Sequence, residues 1–131
     1  METCDTPTDA IIDVDIAVTT VTHTSVVEPF LDPAALSPGA LGISADLSAP
    51  WSQDGFAKLD AVFVEDRAQE AALATKLVPP DVLTGDLADL VTGRYPGRRD
   101  EDARLFFTFR GHALGDLCLA ILAYQASSLS R

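Results

Sequence analysis

Apolar residues fall in short runs along this chain, each closed by polar or turn-forming residues. Residues 16–20, "IAVTT", are mostly β-branched and few in number, which predicts a strand. The chain then turns polar through Thr20, Thr22 and Thr24, so this strand ends in a hydroxyl-rich loop. Asp32 and Pro33 in "LDPAALSPGA" have the order of a helix cap and a first helical residue. Pro38-Gly39 turns the chain into a second strand at residues 40–44, and Ala61-Val62-Phe63-Val64 makes a third.

Helical period takes over next. Asp66 and Gln69 have capping-box spacing, predicting a helix from Arg67 to about Leu77 that Pro79-Pro80 stops. Asp86 caps a second helix with Leu87, Leu90 and Val91 on one face, closed by Gly93. After the charged loop "RYPGRRDED" come a strand at 104–109 and a last helix at 111–127, carrying Leu114, Leu117, Cys118, Ile121 and Tyr124. Residues 1–12 are a polar lead-in, with one or two helical turns at 7–12 capped by Thr6. Strands alternating with helices predict an α/β domain with a mainly parallel sheet of about four strands. Such a sheet needs cover on both faces. So few helices cannot supply it, leaving either a shallow domain or one completed by another chain.

Composition narrows the partners. The 131 residues suit one domain, and 47% apolar against 22% charged residues is the balance of a folded chain. A net charge of −11 repels phosphate backbones and anionic membranes, so nucleic acid and membranes are not expected partners. Cys4 and Cys118 have no metal or redox spacing, and the first ten residues lack the basic flank and apolar core of a signal peptide. No run approaches the roughly 18 apolar residues of a membrane span. The expected compartment is the cytoplasm. His23 and His112 stand alone, so no metal is expected. Arg94, Arg98 and Arg99 are neutralised locally by Asp100, Glu101 and Asp102.

Four segments together are more specific: "DIAVTTVT", "FLDPAALSPGA", "AVFVEDRAQE" and "LADLVTGRYPGRRDEDARLFFTFRGHALGDL". In order and spacing they resemble the C-terminal part of the ornithine cyclodeaminase/mu-crystallin family, over residues 9–124. That family includes amino-acid cyclodeaminases, ketimine reductases and some amino-acid dehydrogenases. The resemblance implies a substrate and dimerisation domain followed by a Rossmann domain, of which the similar part here is the second half. It therefore implies a truncated Rossmann-like fold and NAD(P) as a possible cofactor. Within these residues there is no G-x-G-x-x-G turn; Gly39 and Gly42 in "PGALG" do not make one, and backbone N–H groups in such a turn hold the pyrophosphate.

The resemblance also names site residues. Asp46 in "LGISADL" matches the family's catalytic aspartate, a base beside the hydride-transfer centre. Read alone, it is a loop aspartate that caps local N–H groups, as most such residues do. Thr19, Thr20, Val21 and Thr22 match the loop lining the nicotinamide ribose; read alone, they are a strand end satisfying its own backbone. The sequence departs from the family where "SAPWSQDG" replaces a Pro-Gly-Lys-x-Glu pattern, and where Phe109 stands in place of a serine. The expectation is a chain inert alone, acting as a partner-binding or structural module. The alternative is one subunit of a split NAD(P)-dependent cyclodeaminase, ketimine reductase or dehydrogenase. Either way the first strand lies at an edge and the last helix is apolar over most of its circumference. Both predict a homo-oligomer or a complementing subunit.

Overall fold

The structure is a computed structural model that describes residues 3–22 and 26–128. Five strands form one parallel sheet: β1 Ile16–Thr19, β2 Leu41–Ser44, β3 Ala61–Val64, β4 Leu83–Asp86 and β5 Leu105–Thr108, in the order β1-β2-β5-β3-β4. Three α-helices follow β3, β4 and β5: α1 Arg67–Ala72, α2 Leu87–Val91 and α3 Ala113–Ser128. The mainly parallel α/β sheet is as the sequence predicts, with one strand more.

That extra strand, β4, reads as a loop because Thr84, Gly85 and Asp86 are poor strand formers. Its pairing with β3 slips by one residue after Val62, and the Thr84 hydroxyl accepts the Val62 N–H (3.1 Å). A side chain thus completes the ladder where the backbone bulges. Helix α1 is shorter than its period predicts. Lys76 Nζ donates to the carbonyls of Glu70, Ala71 and Leu73, satisfying the helix end at Ala72. Asp66 Oδ1 accepts the Gln69 N–H (2.8 Å), the half of the predicted capping box that is present. Asp86 and Asp89 form a complete one on α2, each carboxylate accepting the other's N–H. The Asp86 N–H, and then Arg94 and Arg67, hold the Asp89 carboxyl below its ordinary range.

One face of the sheet is closed. Ala17, Val62, Val64 and Phe106 pack there against Leu31, Leu36, Trp51, Phe56, Leu77 and Val78, all buried. Two 3₁₀ turns, Pro33–Ala35 and Gln53–Lys58, carry this layer, the first capped by Asp32 as predicted. Phe106 is its centre, meeting Trp51 and Phe56 edge-to-face at centroid distances of 5.1 and 4.9 Å. Gly42 makes room for it: a Cβ at that position would stand 2.4 Å from the Phe106 ring. Burying one such aromatic contributes about 2 kcal/mol or more.

The opposite face is open across β1, β2 and β5. Ile16 and Val18 are 58% and 59% exposed, and Leu41, Ile43, Leu105 and Phe107 are only half-buried. At its far side Tyr95 packs on Phe63 (4.8 Å), leaving an apolar groove of about 360 Å³ lined by Ile43, Leu90, Tyr95, Leu105 and Phe107.

Candidate functional site at the carboxyl ends of the strands

Open parallel sheets bind ligands at the carboxyl ends of their strands. Here the register places the last residues of the five strands in one row: Thr19, Ser44, Thr108, Val64 and Asp86. The first three point to the closed face and carry hydroxyls. Ser44 and Thr108 are fully buried and Thr19 is 9% exposed. Three adjacent buried hydroxyls need partners.

Asp46 supplies them. Its Oδ1 accepts the hydroxyls of Ser44 (2.5 Å) and Thr19 (3.0 Å), and its Oδ2 accepts the Val21 N–H (2.9 Å). The carboxylate is 3% exposed and ties the loop after β1 to the end of β2. Trp51 Nε1 donates to the Thr19 hydroxyl oxygen (3.0 Å), adding the aromatic core to the same knot. Next to it the Ser48 N–H donates to Ser44 Oγ (2.8 Å), and the Ser48 hydroxyl donates to Thr108 Oγ1 (2.8 Å). The backbone that makes this possible is strained. Leu47 and Ser48 both adopt left-handed conformations, with φ of 60° and 56°. Side chains there cost about 1 kcal/mol or more each, and such strain concentrates at functional sites.

Of the sequence-named residues, the fold therefore brings Asp46, Thr19 and Val21 together. Thr20 and Thr22 are exposed and stand outside the knot. Thr20 and Val21 line an open groove of about 330 Å³ that follows the free edge of β1 past Ile16 and Val18 to Phe30. His23 lies outside the described residues. His112 accepts the Leu114 N–H at Nδ1 (3.3 Å) before α3. Among the described residues no group of His, Cys, Asp or Glu could hold a metal ion.

Ser44, Ser48, Trp51 and Thr108 are members that the pattern reading passed over. The signal was there in part: Thr19, Ser44 and Thr108 each close an apolar strand with a hydroxyl. What joins them is the register, which no local pattern gives.

The sequence profile of the ornithine cyclodeaminase/mu-crystallin family matches residues 1–130, nearly the whole chain. The chain belongs to that family. The fold agrees: a probable ornithine cyclodeaminase from Bordetella pertussis Tohama I superposes with a TM-score of 0.73 at 28% identity, over 95% of this chain. Only 42% of that protein is covered, so the family chain described here spans less than half of its relative's length. No curated protein matches it.

Members of this family are typically associated with NAD(P), so the fit of a dinucleotide can be tested against the residues present. A pyrophosphate needs converging backbone N–H groups at a glycine turn. In this loop the Val21 N–H is spent on Asp46, and the Thr19 hydroxyl both donates to Asp46 and accepts from Trp51. Among the described residues of this loop, Thr20 and Thr22 are exposed and could line a ribose, and no glycine turn stands beside them to cradle a diphosphate.

Proposed function

We propose that these residues form the distal half of an ornithine cyclodeaminase-type dinucleotide fold that does not turn over substrate alone and works as a partner-binding or structural module. One observation carries this reading. β1 is an edge strand with a free side, a hydroxyl-rich exit loop and an open groove beside it, where a doubly wound sheet would continue with further strands. The missing side is also where the first βα turn of such a fold, the main source of dinucleotide affinity, would sit. On this reading the partner is a complementing polypeptide or another copy.

A titration of the 131-residue chain with NADH and with NADPH tests it by calorimetry. The expected result is no saturable heat up to millimolar cofactor. Saturation at micromolar levels would mean that the chain holds a complete nucleotide site, and the module reading would fall.

The Asp46 knot favours a second reading, one subunit of a split NAD(P)-dependent cyclodeaminase, ketimine reductase or dehydrogenase. A buried carboxylate among hydroxyls at the strand ends is an expensive arrangement to keep without use. In such a split enzyme the cofactor would supply or accept the hydride. Asp46 would hold the loop after β1 against the nicotinamide end, and Thr20 and Thr22 would face the ribose. An assembly that reduces a ketimine with the native chain, and fails with Asp46→Asn, would favour this reading over the module.

A further inference from the structure

At β4, the sheet edge opposite β1, positive charge collects on a chain whose net charge is −11. An open pocket of about 250 Å³ there is lined by Arg67, Thr84, Asp89, Arg94 and Tyr95. Along the sequence, Arg94, Arg98 and Arg99 look neutralised by Asp100, Glu101 and Asp102. Among the described residues none of those ion pairs forms. Arg98 donates to the Ala103 carbonyl instead, and Arg99 lies over the Tyr95 ring, 5.8 Å from its centroid. Arg94 turns back to Asp89 (2.7 Å).

Asp89 fixes the geometry of this pocket. Its Oδ1 accepts Arg94 Nε, and its Oδ2 accepts the Asp86 N–H (3.1 Å) and Arg67 Nη2 (3.4 Å). Arg67 Nη2 also donates to the Thr84 carbonyl (2.8 Å). Tyr95 is held by its N–H on the Asp89 carbonyl (3.0 Å) and by its ring on Phe63. These acceptors are therefore spent, while the donors are not. Among the described residues, both Nη groups of Arg94 and the Nε and Nη1 of Arg67 meet no protein acceptor. Thr84 Oγ1 accepts the Val62 N–H, which leaves its own hydrogen for another acceptor. Three guanidinium groups, of Arg67, Arg94 and Arg99, stand against two carboxylates, Asp89 and the cap residue Asp86. The pocket is short of an anion.

We propose that this pocket binds a small tetrahedral oxyanion: phosphate, or the phosphate group of a small monoester. The inference goes beyond the dinucleotide question, because the site lies across the sheet from β1. Guanidinium forks match phosphate oxygens in pairs, and here two forks meet from different elements, α1 and the loop after α2. A planar carboxylate would fill one fork and leave the other unmet. Phosphate offers oxygens to both, and near neutral pH its monoesters carry a charge of about −1.5 to −2. Both forks are held by Asp89 before any ligand arrives, so binding orders little that was loose. The charge of the whole chain limits the ligand's size. Nucleic acid or an anionic membrane would meet the acidic surface beyond the pocket, whereas a small anion meets the pocket alone. Repulsion from more distant carboxylates is screened beyond about 8 Å at physiological salt.

Titration of the ¹⁵N-labelled chain with inorganic phosphate, at an ionic strength held constant with sodium chloride, tests the proposal by NMR. The expected result is a saturable shift confined to the Arg67 and Arg94 side-chain Nε–H signals and the Tyr95 amide, with a Kd of about 5 mM. Acetate should give no such shift. Arg94→Gln and Arg67→Gln should each weaken binding about 10-fold, while Lys58→Gln, with the same change in net charge on an exposed turn, leaves it unchanged. Arg94 is largely exposed and meets the rest of the chain through Asp89, so an unchanged far-UV circular dichroism spectrum shows that its variant folds. Glycerol 2-phosphate separates the two sources: equal or tighter binding assigns the site to a monoester, and binding of inorganic phosphate alone assigns it to the free anion. No saturable shift, an equal response to acetate, or binding that survives Arg94→Gln would each overturn the proposal. NADH carries no phosphate monoester, so its titration bears on the dinucleotide reading and leaves this site untouched.

Discussion

The two faces of the sheet are built from the same strands, and neither carries a charged residue along β1, β2 and β5. The closed face holds Ala17, Gly42, Val62, Val64 and Phe106, and the open face Ile16, Val18, Leu41, Ile43, Leu105 and Phe107. By apolar content the open face is the better core. It nevertheless faces outward across β1, β2 and β5, because the segments that follow β1 and β2, with their 3₁₀ turns, Trp51 and Phe56, fall on the other side. Burial here follows where the connections cross, not how hydrophobic a position is. The difference also separates two kinds of importance. Closed-face side chains hold one copy together, while open-face side chains have a role only once something covers them.

Neighbouring phenylalanines of β5 give the largest test of that contrast. Phe106→Ala, removing the centre of the closed face, is expected to cost about 4 kcal/mol, whereas Phe107→Ala costs under about 1 kcal/mol in the monomer. Urea unfolding of the two variants beside the native chain measures both. Equal losses would mean that the open face is packed within one copy. The polar end of the closed face comes next. Asp46→Ala leaves the hydroxyls of Ser44 and Thr19 and the Val21 N–H without their acceptor, and a loss of about 3 kcal/mol is expected by the same measurement. A neutral result would mean that the knot is not a structural tie, which would sharpen the case for Asp46 in catalysis.

Strain at that knot gives a smaller effect of opposite sign. Leu47→Gly relieves a left-handed side chain that is itself 43% exposed, so a gain of about 1 kcal/mol is expected in thermal unfolding, reduced by the added chain freedom. Smallest is the cap on α2, beside the open face. Asp89 titrates below its ordinary range in the folded chain, so its stabilisation is present above the unfolded-state value and is lost as pH falls through the folded one. Asp89→Asn should therefore lower the melting temperature slightly at neutral pH, and the gap from the native chain should close in strong acid. A gap that persists there would assign the effect to the cap's geometry rather than its charge.

Much of the fold was legible along the chain, and for identifiable reasons. β1, β2, β3 and β5 are short apolar runs between breakers, and the caps at Asp32, Asp66 and Asp86 are local hydrogen bonds between residues two or three apart. β4 was hidden because its pairing depends on the Thr84 side chain and on β3, more than twenty residues earlier. The end of α1 was hidden because Lys76 reaches back to stop it and Glu70 turns away to accept the Leu77 N–H (2.6 Å) and pair with Arg110 (3.0 Å). Of the candidate site, Asp46 and the threonine loop were visible only through the family resemblance. Of their hydrogen-bonded partners, Ser44 showed only as a hydroxyl closing an apolar strand, and Trp51 gave no signal.

By itself, then, the sequence determined the alternation of strands and helices, the family, the acidic surface and the excess of apolar residues on the last helix. All of these are local or additive properties of the chain. The tertiary structure decided which strand ends meet, that Asp46 turns inward onto Thr19 and Ser44, and which face of the sheet is left bare. Those depend on register and on the side to which each connection crosses, and both are set by contacts between residues far apart in the chain.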